Sequence, residues 1–286
     1  TEGAGIIKYN TLTQDAETIN KGLSSNNISS LFADDYGNLW IGTDKGITIY
    51  DILNDEKENP FKIFNIDNGL ITNKIRCIIP ALNKEVWIGT EFSGIIRLIV
   101  NESPFSNVKI FDSEYSGQNI TTKDGLTSNN ISTLYEDSEH NVWIGTENKG
   151  IVKFSPTPSP PPLVEKGEES QPANLPAGQT GRRSKNPTLT PGELHIFGNR
   201  FELQYYNANV FLEDREGNVW MGSDIGLNKY MGELFKLYNQ DYQLIDNLIW
   251  SIICDKEGDL WFGTSKGVSK FSFPVINGKK QYNNPV

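Results

Sequence analysis

The sequence predicts an all-β protein, a β-propeller of four-stranded antiparallel blades, from three observations. The motif Trp-Ile-Gly-Thr occurs at Trp40, Trp87 and Trp143, and altered copies follow at Trp220 and Trp261. All but one of the intervals between neighbouring tryptophans are close to the roughly 40–50 residues of a propeller blade. The 26 glycines and the aromatic content of 11% suit short strands joined by tight turns.

The first complete repeat contains the strands of a blade in order. Segments 28–34, 39–43 and 47–50 read as strands, and the turn between the first two contains an Asp and a Gly. A fourth, outer strand is predicted at 61–64, with counterparts at 108–111, 194–197 and 235–238. Four strands per repeat make a blade that must stack on its neighbours to bury its faces.

We expect one propeller domain over residues 1–286. It comprises a partial blade at 1–20 and five blades at about 21–66, 67–113, 124–200, 204–240 and 244–286. The partial blade is inferred because residues 3–9 match the third strand of later repeats. Proline-rich residues of about 155–192 are predicted to be a disordered insertion within a blade.

The five tryptophans at Trp40, Trp87, Trp143, Trp220 and Trp261 are predicted to be repeat core rather than a ligand box. An indole fills the gap between blades, and its N–H can reach a carbonyl. The formal net charge of −10 argues against nucleic acid and anionic membranes as partners. We find no signal peptide and no apolar stretch long enough for membrane insertion.

Taken together, these motifs resemble the two-component regulator propeller repeat: Asn-x-Ile, an acidic-Gly turn, Leu-Trp-Ile-Gly-Thr, then Gly-Ile or Gly-Leu and an aromatic residue. The resemblance covers nearly the whole chain outside the proline-rich segment. It implies a periplasmic or extracellular sensor region of a bacterial hybrid histidine kinase or related regulator. By this resemblance we expect the region to recognise an oligosaccharide or similar nutrient and to have neighbouring propeller or signalling domains in its parent chain.

Three blades depart from the pattern of this family. Residues 81–85 lack the Asp and Gly of the turn, His140 replaces the Gly in the next blade, and Ala208 replaces the Ile of the first strand. These departures leave the turn geometry of the individual blades open.

Two groups of loops are expected to share one face, because the inner strand of each blade runs first. They carry many amides and carboxylates together with aromatic residues, which suits a neutral polyhydroxylated ligand. The alternative is that Asn caps strands and the acids form a solvated face. The candidate ligand-binding residues are Asn27, Asp44, Asn73, Glu91, Phe92, Asn129, Asn130, Glu147, Tyr206, Asp224, Asn247 and Trp250.

The sequence does not predict an enzyme. Its two histidines, His140 and His195, fall in a hairpin turn and an outer strand, away from the expected ligand face. Neither a metal site nor a cofactor is expected, since no calcium-binding Asp-x-Asp-x-Asp loop is present. Two other functions remain as alternatives: a scaffold that binds another protein, and a propeller lyase.

Overall fold

The computed structural model describes residues 3–54, 59–100, 117–157, 192–197, 206–232, 234–276 and 279–280. Its strands are β1 (Ile6–Tyr9), β2 (Ala16–Ile19), β3 (Ile28–Ala33), β4 (Asn38–Thr43), β5 (Gly46–Asp51), β6 (Phe61–Phe64), β7 (Ile75–Ala81), β8 (Glu85–Thr90), β9 (Ile95–Ile99), β10 (Gln118–Ile120), β11 (Ile131–Glu136), β12 (Val142–Thr146), β13 (Ile151–Pro156), β14 (Gly192–Ile196), β15 (Ala208–Glu213), β16 (Val219–Ser223), β17 (Leu227–Tyr230), β18 (Phe235–Tyr238), β19 (Ile249–Cys254), β20 (Leu260–Thr264), β21 (Gly267–Phe271), β22 (Val275–Ile276) and β23 (Lys279–Lys280). Short 3-10 helices occur at Ile52–Asn54, Ile66–Asn68, Leu82–Lys84 and Gln240–Tyr242.

The strands form successive antiparallel blades, which confirms the predicted fold class. Blades 1 to 4 are the four-stranded sheets β3–β6, β7–β10, β11–β14 and β15–β18, and the described part of blade 5 is β19–β21. The hairpin β1–β2 precedes blade 1, and β22–β23 follows blade 5. The first strands of successive blades contact each other, β3 with β7, β7 with β11, β11 with β15 and β15 with β19. The first strand of each blade is therefore the inner one.

Two boundaries differ from the predicted ones. The outer strand of blade 2 is Gln118–Ile120, which pairs with β9 and lies beyond the predicted limit at residue 113. The strand predicted at 108–111 falls outside the described residues. In blade 3, Pro156 pairs with Gly192, so both limits of the predicted insertion carry regular strand; residues 158–191 lie outside the described part.

An aspartate in the first turn of four blades holds the blade tryptophan. In blade 3, Asp137 accepts hydrogen bonds from the backbone N–H of Asn141 at 2.8 Å and from Trp143 Nε1 at 2.7 Å. The same indole bond joins Trp40 to Asp34, Trp220 to Asp214 and Trp261 to Asp255. The indole N–H thus donates to a carboxylate, and the prediction that it reaches a carbonyl is wrong.

Blade 2 lacks this aspartate and replaces it from another position. Glu85 accepts from Trp87 Nε1 at 2.9 Å, and Arg97 Nη2 donates to the same carboxylate oxygen at 2.8 Å. The Arg97 guanidinium lies 4.5 Å from the Trp87 ring centroid and 4.8 Å from that of Phe154. Because both charged groups are buried, each requires the other to remain stable there. A buried ion pair thus performs the role that Asp performs elsewhere.

The glycine of Trp-Ile-Gly-Thr makes room for the next blade. A Cβ at Gly89 would lie 2.7 Å from Ile131 Cγ2, and one at Gly222 would lie 2.6 Å from Ile249 Cγ2. These contacted residues begin the first strands of blades 3 and 5. In blade 4 the first residue of the first strand is Ala208, and it packs against Gly145 of blade 3. The glycine is therefore required by close packing between blades.

The threonine of the motif closes the following turn. Thr43 Oγ1 donates to the Gly46 carbonyl at 2.9 Å, and Ser223 Oγ donates to the Gly226 carbonyl at 2.8 Å. Gly46 has φ +122°, a conformation that L side chains rarely adopt. Within four residues the motif thus has a core tryptophan, a glycine that allows the next blade to pack closely, and a threonine that closes the turn.

Trp261 departs from the other four tryptophans. Trp40, Trp87, Trp143 and Trp220 are fully buried, as predicted, whereas Trp261 is 37% exposed. Ile253 pairs with Trp261 across the sheet and is exposed on the same face, as is Val268. The description of Trp261 as core is therefore only partly right, because no blade of the described chain covers this face.

We predict that Gly222→Ala lowers the free energy of unfolding by about 1–3 kcal/mol, since the new methyl group overpacks the seam between blades 4 and 5. Chemical denaturation monitored by circular dichroism measures the loss. Gly263→Ala is the matched control, because its Cβ would meet only the side chain of Ser251. Equal losses in the two variants would contradict the packing role of the glycine.

We also predict that Asp137→Ala lowers the free energy of unfolding by about 3 kcal/mol, because it leaves a buried indole N–H and the Asn141 amide without their acceptor. Asp255→Ala should lower it by less, because Trp261 is partly exposed to water. Differential scanning calorimetry of both variants makes the comparison, and a larger effect at Asp255 would refute it.

Candidate ligand-binding face

The two groups of loops meet on one face of the propeller, as the strand order predicts. A residue just before the first strand contacts a residue just after the second strand in every blade. Asn27 Nδ2 donates to Asp44 Oδ2 at 3.0 Å in blade 1, and Lys74 Nζ lies 3.4 Å from Glu91 Oε1 in blade 2. The corresponding contacts in blades 3 and 4 are Asn130–Glu147 and Asn207–Asp224. Blade 5 has Leu248 at the equivalent position, and Asp246, two residues earlier, contacts Ser265 instead. We call these five contacts the loop pairs.

Three of the candidate asparagines have a structural role. The side-chain oxygens of Asn73, Asn129 and Asn247 accept from a backbone N–H seven residues earlier, at 2.8, 2.8 and 2.9 Å. These bonds fix the loop that leads from one blade into the next. They favour the structural alternative for these three residues. Tyr206, which is partly buried, precedes Asn207 in blade 4 as Asn129 precedes Asn130 in blade 3.

Hydrogen bonds hold two carboxylates of this face in the ionised form. Ser25 and Asn27 donate to Asp44 and lower the pKa of its carboxyl group. The hydroxyl of Ser265 and then the ammonium of Lys266 lower the pKa of Asp246. Both groups are therefore acceptors at neutral pH, and hydroxyl donors of a ligand can bind to them.

A cleft of about 210 Å³ lies between blades 1 and 2. Asn27 and Asp44 line it on the blade 1 side, and Lys74, Arg76 and Glu91 line it on the blade 2 side. Arg76 Nη2 and Lys74 Nζ are each 3.4 Å from a carboxylate oxygen of Glu91. The cleft is thus lined by groups that both donate and accept hydrogen bonds.

Phe92 follows Glu91 and has an unusual conformation. Its φ is +70°, it is 64% exposed, and the Lys74 ammonium lies 6.0 Å from its ring centroid. Positive φ is costly for a bulky side chain, and this one is not compensated by burial. An exposed ring in this position is available for contact with a ligand.

Arg76 is not among the candidate residues predicted from the sequence. It nevertheless occupies a strand position that is distinctive in every blade. A register shift occurs in the first strand of every blade, between 75 and 77 in blade 2. In blades 3 and 4 the residue at this shift donates to the next blade: Ser132 Oγ to Ala208 O at 2.6 Å and Asn209 Nδ2 to Ile249 O at 3.0 Å. Arg76 and Trp250 occupy the shift in blades 2 and 5, and Trp250 is 58% exposed.

The two histidines lie away from the loop pairs. His140 adopts φ +64° in the turn between β11 and β12, where the sequence places it at a Gly position, and its Nδ1 is 3.1 Å from Glu136 Oε1. His195 is exposed on β14. Within the described residues, no group of three His, Cys, Asp or Glu side chains could hold a metal ion. No helix in the same part of the chain is long and apolar enough to cross a membrane.

The chain is similar to part of a histidine kinase. It is 29% identical over 163 residues to "Histidine kinase P4" of Formosa agariphila, a match that covers 54% of this chain and 11% of that protein. The chain therefore spans only a small part of that curated relative.

Two solved structures share the fold. One is described as the extracellular domain of a hybrid two-component system of B. thetaiotaomicron, with a TM-score of 0.64, 21% identity, and coverage of 96% of this chain and 31% of that one. The other is PorZ, a surface component of the type-IX secretion system of Porphyromonas gingivalis, with a TM-score of 0.63, 17% identity, and coverage of 96% and 36%.

The family model described as "Two component regulator propeller" matches residues 22–45, 125–148 and 243–266. Each matched segment runs from the loop before a first strand to the turn after the second, in blades 1, 3 and 5. It therefore includes both members of a loop pair. Three segments of the chain therefore match the two-component regulator propeller repeat.

Proposed function

We propose that this propeller is the ligand-sensing part of a periplasmic or extracellular two-component-type signalling protein, and that it binds an oligosaccharide. The observation that carries the proposal is the set of loop pairs. Five blades bring polar side chains together on one face, and the pairs are exposed or partly buried.

The chemistry of this face suits sugar hydroxyl groups. A hydroxyl both donates and accepts, so it bonds well where a carboxylate stands beside an amide or an ammonium group. Asp44 with Asn27, and Glu91 with Lys74, provide such combinations at the cleft between blades 1 and 2. Phe92 and Trp250 offer exposed rings on which the apolar face of a sugar can pack.

Binding residues are proposed from the candidates other than Asn73, Asn129 and Asn247, whose side chains fix the loops between blades. They are Asn27, Asp44, Glu91, Phe92, Asn130, Glu147, Tyr206, Asp224 and Trp250. The similarity to the extracellular domain of a hybrid two-component system supports a sensor outside the cytoplasm. Neighbouring propeller or signalling domains would transmit the signal.

One observation favours a second function, a scaffold that binds another protein. Trp261, Ile253 and Val268 expose an apolar surface on blade 5, and exposed apolar patches often mark protein interfaces. A partner protein would cover this surface, whereas a sugar would leave it exposed.

We predict that a screen of oligosaccharides by thermal shift finds at least one ligand that raises Tm in a saturable manner. Asp44→Asn and Phe92→Ala should each weaken binding about tenfold or more, because they remove an acceptor and a packing surface. Glu216→Gln, an exposed turn residue between β15 and β16, is the control and should bind like the wild type.

The screen also separates the two functions. If no oligosaccharide stabilises the folded protein, the sensor proposal is refuted. Loss of partner binding on Ile253→Ser together with Val268→Ser would then establish the scaffold.

A further inference from the structure

Blade 2 differs from the other blades at several positions of the ligand-binding face. Where blades 1, 3 and 4 have Asn27, Asn130 and Asn207 in the loop pair, it has Lys74. Where blades 1, 3 and 4 have Ser or Asn at the strand register shift, it has Arg76. Two cations thereby enter one cleft on a chain whose net charge is −10.

Phe92 adds a third difference. Blade 3 has Asn148 after its acid, with φ +56°, and Asn tolerates this conformation well. Blade 2 has a phenylalanine in the same conformation with most of its ring exposed. Neither backbone preference nor core packing favours this residue, so its exposed ring is better explained by contact with a ligand.

The two walls of the cleft differ in charge. The blade 1 wall offers Asn27 and the ionised Asp44. The blade 2 wall has two cations, Lys74 and Arg76, which share the single carboxylate of Glu91. The blade 2 wall therefore has one more positive than negative charge.

Glu91 shows that a carboxylate can interact with both cations at once. Its planar carboxylate lies between them, one oxygen toward each, at 3.4 Å. These distances exceed the ~2.7–2.9 Å of a short charge-assisted hydrogen bond. Lys74 and Arg76 are about half exposed, so both can approach a second carboxylate that enters from solvent.

We propose that the cleft between blades 1 and 2 binds a uronic-acid unit of an acidic oligosaccharide, and this inference rests on the proposed function. The sugar carboxylate faces Lys74 and Arg76, and the ring hydroxyls face Asn27 and Asp44. The neighbouring sugar packs on Phe92. Blade 2 would thus give the sensor its preference for acidic over neutral saccharides.

Isothermal titration calorimetry tests the preference directly. The probes are trimers of galacturonate, glucuronate and mannuronate, each compared with its methyl ester, which keeps the hydroxyls and removes the charge. At low salt, at least one acid should bind about tenfold more tightly than its ester. The difference should shrink as ionic strength rises, because salt screens exposed charges.

Substitutions locate the effect. Arg76→Gln should reduce the preference for the acid and leave the affinity for the ester unchanged. Lys74→Gln should also reduce the preference, because it lowers the affinity for the acid more than the affinity for the ester. Lys266→Gln is the matched control, since Lys266 also lies 3.3 Å from a carboxylate oxygen on this face, that of Asp246. It should retain the full preference.

Two failures can be told apart. If esters or neutral sugars bind but no acid is preferred, or if the preference survives both substitutions in blade 2, this inference is wrong and the sensor proposal stands. If no saccharide binds, neutral or acidic, both are wrong.

Discussion

The packing of the tryptophans of blades 1 to 4 against the next blade is the contact on which the rest of the structure depends. Burying one such side chain removes about 150–250 Å² from water, which contributes roughly 4–6 kcal/mol. That contribution requires the indole N–H to be satisfied, which Asp137 or its equivalents provide. It also requires close approach, which Gly89 and Gly222 allow. The short motif recurs because each of its residues serves this contact or the turn beside it.

The requirement for an acceptor at the indole explains why blade 2 can depart from the pattern. It has no aspartate in its turn, and its Asn83 and Lys84 adopt positive φ instead. Glu85 takes over the indole, and the buried Arg97 balances its charge. A carboxylate therefore accepts the indole hydrogen bond in all five blades, although the residue that provides the carboxylate differs. Positions outside this interaction, such as Lys74 and Arg76, differ between the blades.

The sequence predicts the blades well because their signal is local and repeated. The turn spacing, the motif and the strand order follow from residues close together in the chain, and the loop pairs follow from strand order alone. The sequence places the outer strand of blade 2 at 108–111, whereas the strand that pairs with β9 is Gln118–Ile120. This segment lacks the pattern of the other outer strands and is identified only by that pairing. The indole acceptor was missed although Asp137 and Trp143 have the same spacing as their equivalents.

The site was harder to predict than the fold. Asn129 and Asn130 are adjacent in sequence, yet Asn129 binds backbone and Asn130 faces Glu147. The sequence does not distinguish these two roles. They depend on whether the loop folds back so that a backbone N–H seven residues earlier reaches the asparagine side chain. Likewise, the exposure of Trp261 depends on what covers blade 5 and cannot be read from a motif that it shares with four buried tryptophans.

Hydrogen–deuterium exchange with and without a saturating oligosaccharide tests the central claim, that the loop pairs form the recognition surface. The account predicts slower exchange at residues 24–29, 43–46, 71–76 and 90–94, and no change in the turns at 34–38 and 214–218 on the opposite face. Protection confined to those turns, or to the exposed face of blade 5 around residues 253 and 268, would contradict it.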